Sequence, residues 1–276
     1  MNIEGLYIAD KYSLPSLYIM PCAKYTEEEI ELGTATGFVV KYNNINFLVT
    51  NRHVLSGVNT NDKTVINKNG AIPNLLRIFH HVEPNLTIHG YGAWALRYEN
   101  LIDQCGKTRW YSHPKWDSTN TMEYYLEKNI DIAVLPLVNI DRVGFHYIDI
   151  FANEITTNLP PGISVSIVGY PLAISNDLFP IWKTGHIASD ITTHHSQLYF
   201  YIDATTRSGM SGSPVYYRNY FQYSRDTIHT QTYLIGLYSG RIHKESEIGI
   251  VWRQKYIQET IEYAYKDVMK NSKLNK

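Results

Sequence analysis

The chain has 276 residues, of which 44% are hydrophobic and 18% are charged. This composition excludes an intrinsically disordered protein, and the length allows one large domain or two small ones. The formal net charge is −1. Because no basic field is present to attract phosphates, we expect no nucleic-acid partner.

The N-terminal stretch MNIEGLYIADKYSLPSLYIMPC lacks the basic and continuous apolar regions of a secretory signal. No apolar run approaches the roughly 20 residues of a membrane-spanning helix. We therefore expect a cytoplasmic protein without a membrane partner. Two cysteines, Cys22 and Cys105, allow one disulfide or two thiols, and we favour two reduced, partly buried thiols.

Short runs of β-branched and aromatic residues dominate the chain in sequence order. Residues 37–40 and 45–50 are two apolar runs joined by Lys41-Tyr42-Asn43-Asn44, a pattern typical of a hairpin. Residues 59–73 are rich in Asn, Gly, Pro and Lys and predict a loop, whereas residues 75–97 should contain strands. Four further runs predict strands at 130–138, 163–168, 198–202 and 233–238. Their number and spacing favour a barrel or sandwich.

The end of the chain predicts a helix. Ile257, Ile261, Ala264 and Val268 recur at helical spacing, so this helix should pack on the β structure. Residues 153–161, which contain two adjacent prolines, predict a linker between two halves.

Ser211 lies in the segment Gly209-Met210-Ser211-Gly212-Ser213-Pro214. A nucleophilic serine needs an exposed hydroxyl on a tight turn and backbone N–H groups aimed at the developing oxyanion. The flanking glycines permit such a turn, and the N–H groups of Gly209 and Ser211 would form the oxyanion hole. A Gly/Ser-rich surface turn is the competing interpretation.

His53 follows an apolar run that ends at Thr50, which places an imidazole at the rim of the predicted β structure. A general base is useful there. Asp131 directly precedes the apolar run at 132–135, and a carboxylate in that position is costly unless it has a partner. An imidazole N–H is such a partner, although each residue alone is also explained by an ordinary strand end.

The order His53, Asp131, Ser211 is that of the chymotrypsin-type triad and differs from the subtilisin and α/β-hydrolase orders. Five segments in the same order resemble the trypsin-like (chymotrypsin-fold) serine peptidase family: GTATGFVV with FLVTNRHVL, HPKW before IDIAVLPL, GYPL followed by GHIAS, GMSGSPV, and YLIGLYSG. The pair GYPL and GHIAS resembles bacterial intracellular-type members.

The resemblance implies an all-β fold of two antiparallel six-stranded β-barrels with a C-terminal α-helix. The first barrel, residues 1–152, would carry His53 and Asp131. The second, residues 153–276, would carry Ser211 and the helix. The implied function is that of a serine endopeptidase that forms an acyl-enzyme and needs no cofactor and no metal.

One departure from the family concerns activation. Met210 stands where the animal digestive enzymes have an Asp that pairs with a newly cut N-terminus. Activation by propeptide cleavage is therefore not expected, and the oxyanion loop must be held by packing or ordered by a partner. A partner-activated peptidase effector and a catalytically silent binding module remain alternatives.

The resemblance also implies a set of substrate-binding residues. Thr205 would lie at the base of the primary specificity pocket, and its lack of charge argues against a Lys/Arg preference. The other wall is expected to comprise Tyr238, Gly240 and Arg241, with the Arg241 side chain directed to solvent. Ser239 would lie behind the triad Asp131, in a strand whose backbone pairs with the substrate. Adjacent residues of a strand point to opposite faces and seldom bind one metal. The pairs His80-His81 and His194-His195 are therefore interpreted as surface histidines rather than as metal ligands.

Overall fold

The computed structural model describes residues 9–25, 27–60, 62–82, 94–117, 130–137, 146–151, 159–175, 178–191, 198–224 and 227–274. The first half of the described chain contains β1 (Ser16–Lys24), β2 (Glu29–Glu31), β3 (Ala35–Tyr42), β4 (Ile45–Thr50), α1 (Arg52–Ser56), β5 (Leu75–His81), β6 (Trp94–Asn100), β7 (Tyr111–Ser112) and β8 (Ala133–Leu137). The second half contains β9 (Ser164–Gly169), β10 (Ile181–Ile187), β11 (Tyr199–Asp203), β12 (Pro214–Ser224), β13 (Thr227–Arg241), β14 (Ile248–Arg253) and α2 (Gln254–Leu274).

The strands of the first half form one antiparallel sheet in the order β6-β5-β1-β3-β4-β8-β7, with β2 paired to β1. The predicted hairpin is β3 and β4. Its turn residues Asn43 and Asn44 have φ angles of 45° and 66°. Asparagine tolerates this left-handed region better than most residues, and two such residues in succession suit a tight hairpin turn.

The prediction of a closed first barrel is wrong for the described residues. Barrel closure requires the two edge strands to pair with each other. β7 has only two residues and pairs with β8 alone, while β6 pairs with β5 alone. The sheet described here is therefore open.

The second half confirms the predicted six-stranded barrel, which closes in the order β10-β11-β14-β13-β12-β9. The runs predicted at 163–168, 198–202 and 233–238 lie in β9, β11 and β13. β12 begins at Pro214, directly after the predicted nucleophile loop. The predicted boundary at residue 152, and most of the predicted linker, lie outside the described residues.

The predicted terminal helix is α2. Ile257, Ile261 and Ala264 are fully buried, as their spacing predicts. Polar side chains also fix this helix to the first half of the chain. Tyr111 donates a hydrogen bond to Asp267 at 2.9 Å, and the His113 ring lies 2.9 Å from Glu259. The helix therefore links the barrel to the first sheet.

A shared hydrophobic core joins the two halves. It combines Phe38 and Phe47 of the first sheet with Tyr216 and Trp252 of the barrel, and it includes the buried face of α2. Two further clusters fill the interior of each half separately. The two halves are therefore packed directly against each other.

The prediction of surface histidines is wrong for His80 and His81, which are only 1% and 3% exposed. β5 lies between β1 and β6, and the ring of His81 stacks on Phe179 at 5.2 Å. Burial lowers the pKa of His81 to about 4, so the ring is neutral at pH 7. The pair His194-His195 lies outside the described residues.

Both cysteines are free: Cys22 is buried and Cys105 is exposed. The favoured interpretation of two thiols is confirmed, but Cys105 is exposed rather than partly buried. Within the described ranges, no group of three His, Cys, Asp or Glu side chains is arranged to hold a metal ion. No helix of the described chain is long and apolar enough to cross a membrane.

Candidate active site

The first sheet brings His53 and Asp131 together. His53 lies in the short helix α1, immediately after β4, and Asp131 lies two residues before β8, the strand that pairs with β4. The His53 Nδ1 atom lies 2.6 Å from Asp131 Oδ2, and the His53 backbone N–H donates to Oδ1 at 2.9 Å. One carboxylate therefore fixes both the ring and the backbone of His53.

Asp131 also accepts hydrogen bonds from residues other than His53. Thr60 Oγ1 donates to Asp131 Oδ1 at 3.0 Å, and Ser239 Oγ donates to Oδ2 at 2.6 Å. Asn51 donates from its side-chain amide to the Asp131 backbone carbonyl at 2.8 Å. Asp131 is only 2% exposed, and these bonds supply the partners that a buried carboxylate requires.

Burial and charge act in opposite directions on this pair. Burial lowers the pKa of His53, but the charge and hydrogen bond of Asp131 outweigh it, and the pKa lies above the ordinary histidine value. For Asp131, burial raises the pKa, while His53 and the hydroxyl of Ser239 outweigh burial and lower it. The pair is consequently arranged to stabilise an imidazolium beside a carboxylate.

Ser211 lies in the loop between β11 and β12, where the barrel meets the first sheet. Its Oγ atom donates to the backbone carbonyl of Ser239 at 3.0 Å. The hydrogen bonds of the described residues do not include one between Ser211 Oγ and the His53 ring. Both side chains nevertheless line the same cleft.

Four carbonyl groups around Ser211 are held by hydrogen bonds. Thr36 of β3 accounts for two of them: its Oγ1 donates to the Gly209 carbonyl at 2.8 Å, and its N–H donates to the Ser211 carbonyl at 2.9 Å. Ser213 N–H donates to the Met210 carbonyl at 3.0 Å. Leu172 N–H donates to the Ser208 carbonyl at 2.6 Å. The first sheet thus fixes a loop of the second half.

The N–H groups of the same loop divide into two sets. Those of Met210, Gly212 and Ser213 donate to backbone carbonyls. In the described structure, the N–H groups of Gly209 and Ser211 have no acceptor, and both residues line the cleft. Two unpaired donors beside a serine hydroxyl can bind an oxyanion.

Packing gives the loop its shape. Met210 is fully buried in the core of the barrel. Gly209 has a φ angle of 94°, and a Cβ atom there would lie 2.3 Å from the Tyr170 carbonyl oxygen. Gly212 has a φ angle of 88°, and a Cβ atom there would lie 1.9 Å from the Thr36 carbonyl oxygen. Both positions therefore require glycine, because the neighbouring backbone leaves no room for a Cβ atom.

Two clefts flank His53. The first has a volume of about 210 Å³, and none of the described residues that line it is Asp, Glu, Lys or Arg. Its lining includes Pro21, Leu32, Ala35, Val54, Ile66, Ala71 and Pro73 together with Gly209 and Ser211. The second has a volume of about 200 Å³ and is more polar; it is lined by Asn59, Thr60, Asp131, Ser239, Gly240, Arg241 and Trp252 among others. His53 and Ile66 line both clefts.

Comparison with known families decides the assignment of this chain. Residues 35–219, about two thirds of the chain, match the model of the trypsin-like peptidase domain. The chain belongs to the trypsin-like peptidase family. Its members act on proteins, so family membership implies a protein substrate. A comparison with curated proteins finds no match.

Solved structures of proteases are also similar to the chain. The active form of the Rv3671c protease from M. tuberculosis has 14% identity and a TM-score of 0.47, over 91% of this chain and 81% of that one. The serine endoprotease from Yersinia pestis has 15% identity and a TM-score of 0.48, over 92% of this chain and 64% of that one. The inactive form of Rv3671c has 14% identity and a TM-score of 0.45, over 94% and 92%.

Of the predicted specificity residues of this trypsin-like peptidase, three line a cleft beside His53 and two do not. Ser239, Gly240 and Arg241 line the second cleft beside His53. Tyr238, in contrast, is only 2% exposed, and its hydroxyl hydrogen-bonds to that of Thr206. Thr205 is exposed, whereas Thr206 is buried. Thr206 rather than Thr205 therefore faces the interior at this point.

Sequence reasoning missed several residues that hold this trypsin-like site together. Thr60 lies in a predicted loop, and nothing in its local sequence indicates a bond to Asp131. Thr36 lies in the quoted segment GTATGFVV, where a polar residue in an apolar strand was the available signal. Leu172 gives no sequence signal, because its contribution comes from a backbone N–H group.

Proposed function

We propose that this member of the trypsin-like peptidase family is an active serine endopeptidase, with Ser211 as nucleophile, His53 as general base and acid, and Asp131 as the residue that orients His53. The observation that carries the proposal is that the groups needed for acyl transfer lie around one cleft. A buried, fully hydrogen-bonded carboxylate holds the imidazole, and two unpaired N–H groups lie beside the serine.

The reaction follows from these groups. Ser211 Oγ attacks the scissile carbonyl carbon while His53 accepts the hydroxyl proton, and the carbonyl oxygen becomes an oxyanion bound by the N–H groups of Gly209 and Ser211. Collapse of the intermediate breaks the C–N bond, and His53 gives its proton to the leaving amine. Water then attacks the acyl-enzyme, with His53 again as base, and the acid product leaves Ser211 free.

The Ser211 hydroxyl must turn before it can react. It donates to the Ser239 carbonyl at 3.0 Å, and the attack requires it to donate to His53. A serine hydroxyl has three staggered rotamers, so a rotation about one bond is a small change. We propose that substrate binding favours the rotamer that faces His53.

This same hydrogen bond favours the second candidate, a peptidase effector that a partner protein activates. A partner would have to act on Ser211 itself, since the loop around it is already packed through Met210 and Thr36. A catalytically silent binding module is less well supported, because His53, Asp131 and Ser211 are all present. Cytoplasmic location and kinship with bacterial intracellular-type members are part of the proposal.

Hydrolysis of an unfolded protein substrate tests the function. The wild-type protein should release peptides, and Ser211→Ala and His53→Ala should each lower kcat by about 10⁴-fold or more. Ser164→Ala removes an exposed serine at the start of β9 and should leave the rate unchanged. Equal rates for the wild type and Ser211→Ala would remove Ser211 as the nucleophile.

A further inference from the structure

The side chain of Tyr238 is packed inside the barrel beside the loop that carries Ser211. It is 2% exposed, and its hydroxyl hydrogen-bonds to that of Thr206, which is 1% exposed. A Cβ atom on Gly249 would lie 2.6 Å from the Tyr238 ring carbon Cε2, so the ring lies directly against the backbone of β14. The ring also belongs to one hydrophobic cluster with Met210, the neighbour of Ser211.

The strand that carries Tyr238 also runs beside the nucleophile. Ser211 Oγ donates to the Ser239 carbonyl at 3.0 Å. β13 pairs with β12 only as far as Leu237, whereas its pairing with β14 continues to Arg241. Beyond Leu237, one backbone edge of β13 therefore has no strand partner in the described part of the chain.

An extended substrate can add to this edge as a further strand. Residues 239–241 line the second cleft, and backbone pairing at a free strand edge is a general mode of peptide binding. A peptide that pairs there and presents a carbonyl to Ser211 brings the side chain of that residue against the two segments beside the nucleophile, residues 204–206 and Tyr238. The space between these segments therefore decides which side chain fits before the scissile bond.

That space is filled by the protein itself. Ala204, Thr206, Met210 and Tyr238 are each at most 4% exposed, which leaves no solvent-accessible pocket among these four side chains. Neither of the two clefts that flank His53 is lined by Thr206 or Tyr238. The tyrosine ring consequently takes the volume that a large substrate side chain would need.

We propose that Tyr238 is a specificity-determining residue that closes this space, so that the peptidase cleaves after residues with small side chains, namely glycine, alanine and serine. The inference rests on the proposed function and names its substrate class. A larger side chain would have to displace a packed ring and leave the buried Thr206 hydroxyl without its partner. Rejection of large residues is therefore built into the barrel core.

Peptide cleavage measures this selectivity. A peptide library of mixed sequence first gives a sequence that the wild type cuts, and two peptides are then made with alanine or phenylalanine before the scissile bond. We expect the wild type to cleave the alanine peptide with a kcat/KM at least about 100-fold higher. Tyr238→Ala removes the ring and should lower this ratio by about tenfold or more, because the phenylalanine peptide is cleaved faster.

Two further variants are controls. Tyr238→Phe keeps the ring and removes the hydroxyl, so it should keep the preference for alanine and lower the unfolding temperature. Tyr233→Ala removes a half-buried tyrosine of the same strand that stacks on Tyr217, and it should lower the unfolding temperature without changing the ratio. Equal changes of the ratio in Tyr233→Ala and Tyr238→Ala would assign the effect to a loosened barrel and overturn the proposal.

A binding measurement tests the closed space without catalysis. p-Cresol has the structure of the tyrosine side chain, and a cavity left by a large-to-small substitution can bind a small aromatic molecule. p-Cresol should raise the unfolding temperature of Tyr238→Ala and leave that of the wild type unchanged. A folded Tyr238→Ala protein without this response would contradict the proposal.

The wild type alone also decides, even if Tyr238→Ala does not fold. Cleavage of the phenylalanine peptide as fast as the alanine peptide would overturn the closed space. A wild type that cuts no peptide of the library would count against the proposed function, and the response to p-cresol would then test the role of Tyr238 separately.

Discussion

The two sides of the cleft are built differently. On the side of the first sheet, Asp131 receives hydrogen bonds from His53, Thr60 and Ser239, and all of these partners are side chains or backbone of buried or half-buried residues. On the barrel side, Ser211 lies in a loop held by backbone carbonyls, and its hydroxyl points to Ser239 rather than to His53. In the proposed mechanism His53 is already positioned as the base, whereas the Ser211 hydroxyl has to turn away from the Ser239 carbonyl.

This difference indicates which property of the protein a substitution on each side should change. On the side of the first sheet, which carries His53 and Asp131, several donors share one carboxylate. We therefore expect a small movement of any one donor to change the His53–Asp131 contact little. On the barrel side, each of the four backbone carbonyls around Ser211 is held by one hydrogen bond. Changes on the base side should therefore alter the chemistry and its pH dependence, while changes on the nucleophile side should alter the formation of the oxyanion hole.

The largest effect is expected for Asp131→Asn. The amide preserves the shape of the side chain, but it cannot stabilise an imidazolium and favours the wrong tautomer of His53, so kcat should fall by about 10⁴-fold. Steady-state kinetics with a peptide substrate measures the loss. The unfolding temperature should change little by comparison, and a variant with more than a tenth of the wild-type rate would contradict the role of Asp131.

Thr36→Val tests the nucleophile side. The substitution leaves the buried Gly209 carbonyl and the Tyr170 N–H without the hydroxyl that serves both, at 2.8 and 3.1 Å. Each unpaired buried group costs about 1–3 kcal/mol. We expect a lower free energy of unfolding and a loss of about 10²-fold in kcat, measured by chemical denaturation and kinetics.

Thr36→Ser is the matched control, because it keeps the hydroxyl and removes only a methyl group. It should retain most of the activity. If the serine variant loses as much activity as the valine variant, the hydroxyl alone does not hold the loop.

A smaller effect is expected for Thr60→Val on the base side. The variant removes one of several donors to Asp131 and leaves the contacts of His53 intact. Loss of a hydrogen bond to a charged group should lower kcat/KM by about tenfold. Thr60→Ser should restore the rate, and a loss as large as that of Asp131→Asn would show that the carboxylate is less well supported than the structure indicates.

The pH dependence of kcat/KM tests the contribution of Asp131 to the His53 side of the cleft. His53 must be neutral to act as a base, and Asp131 holds its pKa above the ordinary value. Activity should therefore be full at pH values above this pKa and should fall as the pH drops through it. In Asp131→Asn the raising charge is gone while burial still lowers the pKa, so the acid limb of kcat/KM should move to lower pH. An acid limb that stays in place would assign it to another group.

Much of the fold and of the candidate site could be predicted from the sequence. The Asn43-Asn44 turn fixes the β3–β4 hairpin, and hydrophobic spacing identifies α2, because both signals are local. The candidate triad residues were found through their order and flanking motifs. The structure places His53 and Asp131 in direct contact and Ser211 on the same cleft.

What the sequence does not predict depends on contacts between distant segments. The sheet that the described residues of the first half form is open, with β6 and β7 at its edges, and strand pairing at a sheet edge has no clear local signal in the sequence. His80 and His81 are buried because β5 lies inside a sheet, which an isolated His-His pair does not reveal. The roles of Thr36 and Leu172 come from contacts across more than thirty residues of sequence, as in the bond between Thr36 and Gly209.

Labelling of the purified protein with a fluorophosphonate serine probe, beside Ser211→Ala, tests the central claim most directly. The probe reacts only with a serine that has a working base and an oxyanion hole. The account predicts one label on the wild-type protein, located at Ser211 by peptide mass spectrometry, and none on the variant. Labelling that persists in Ser211→Ala, or a wild-type protein that stays unlabelled, would contradict the assignment of an assembled catalytic site.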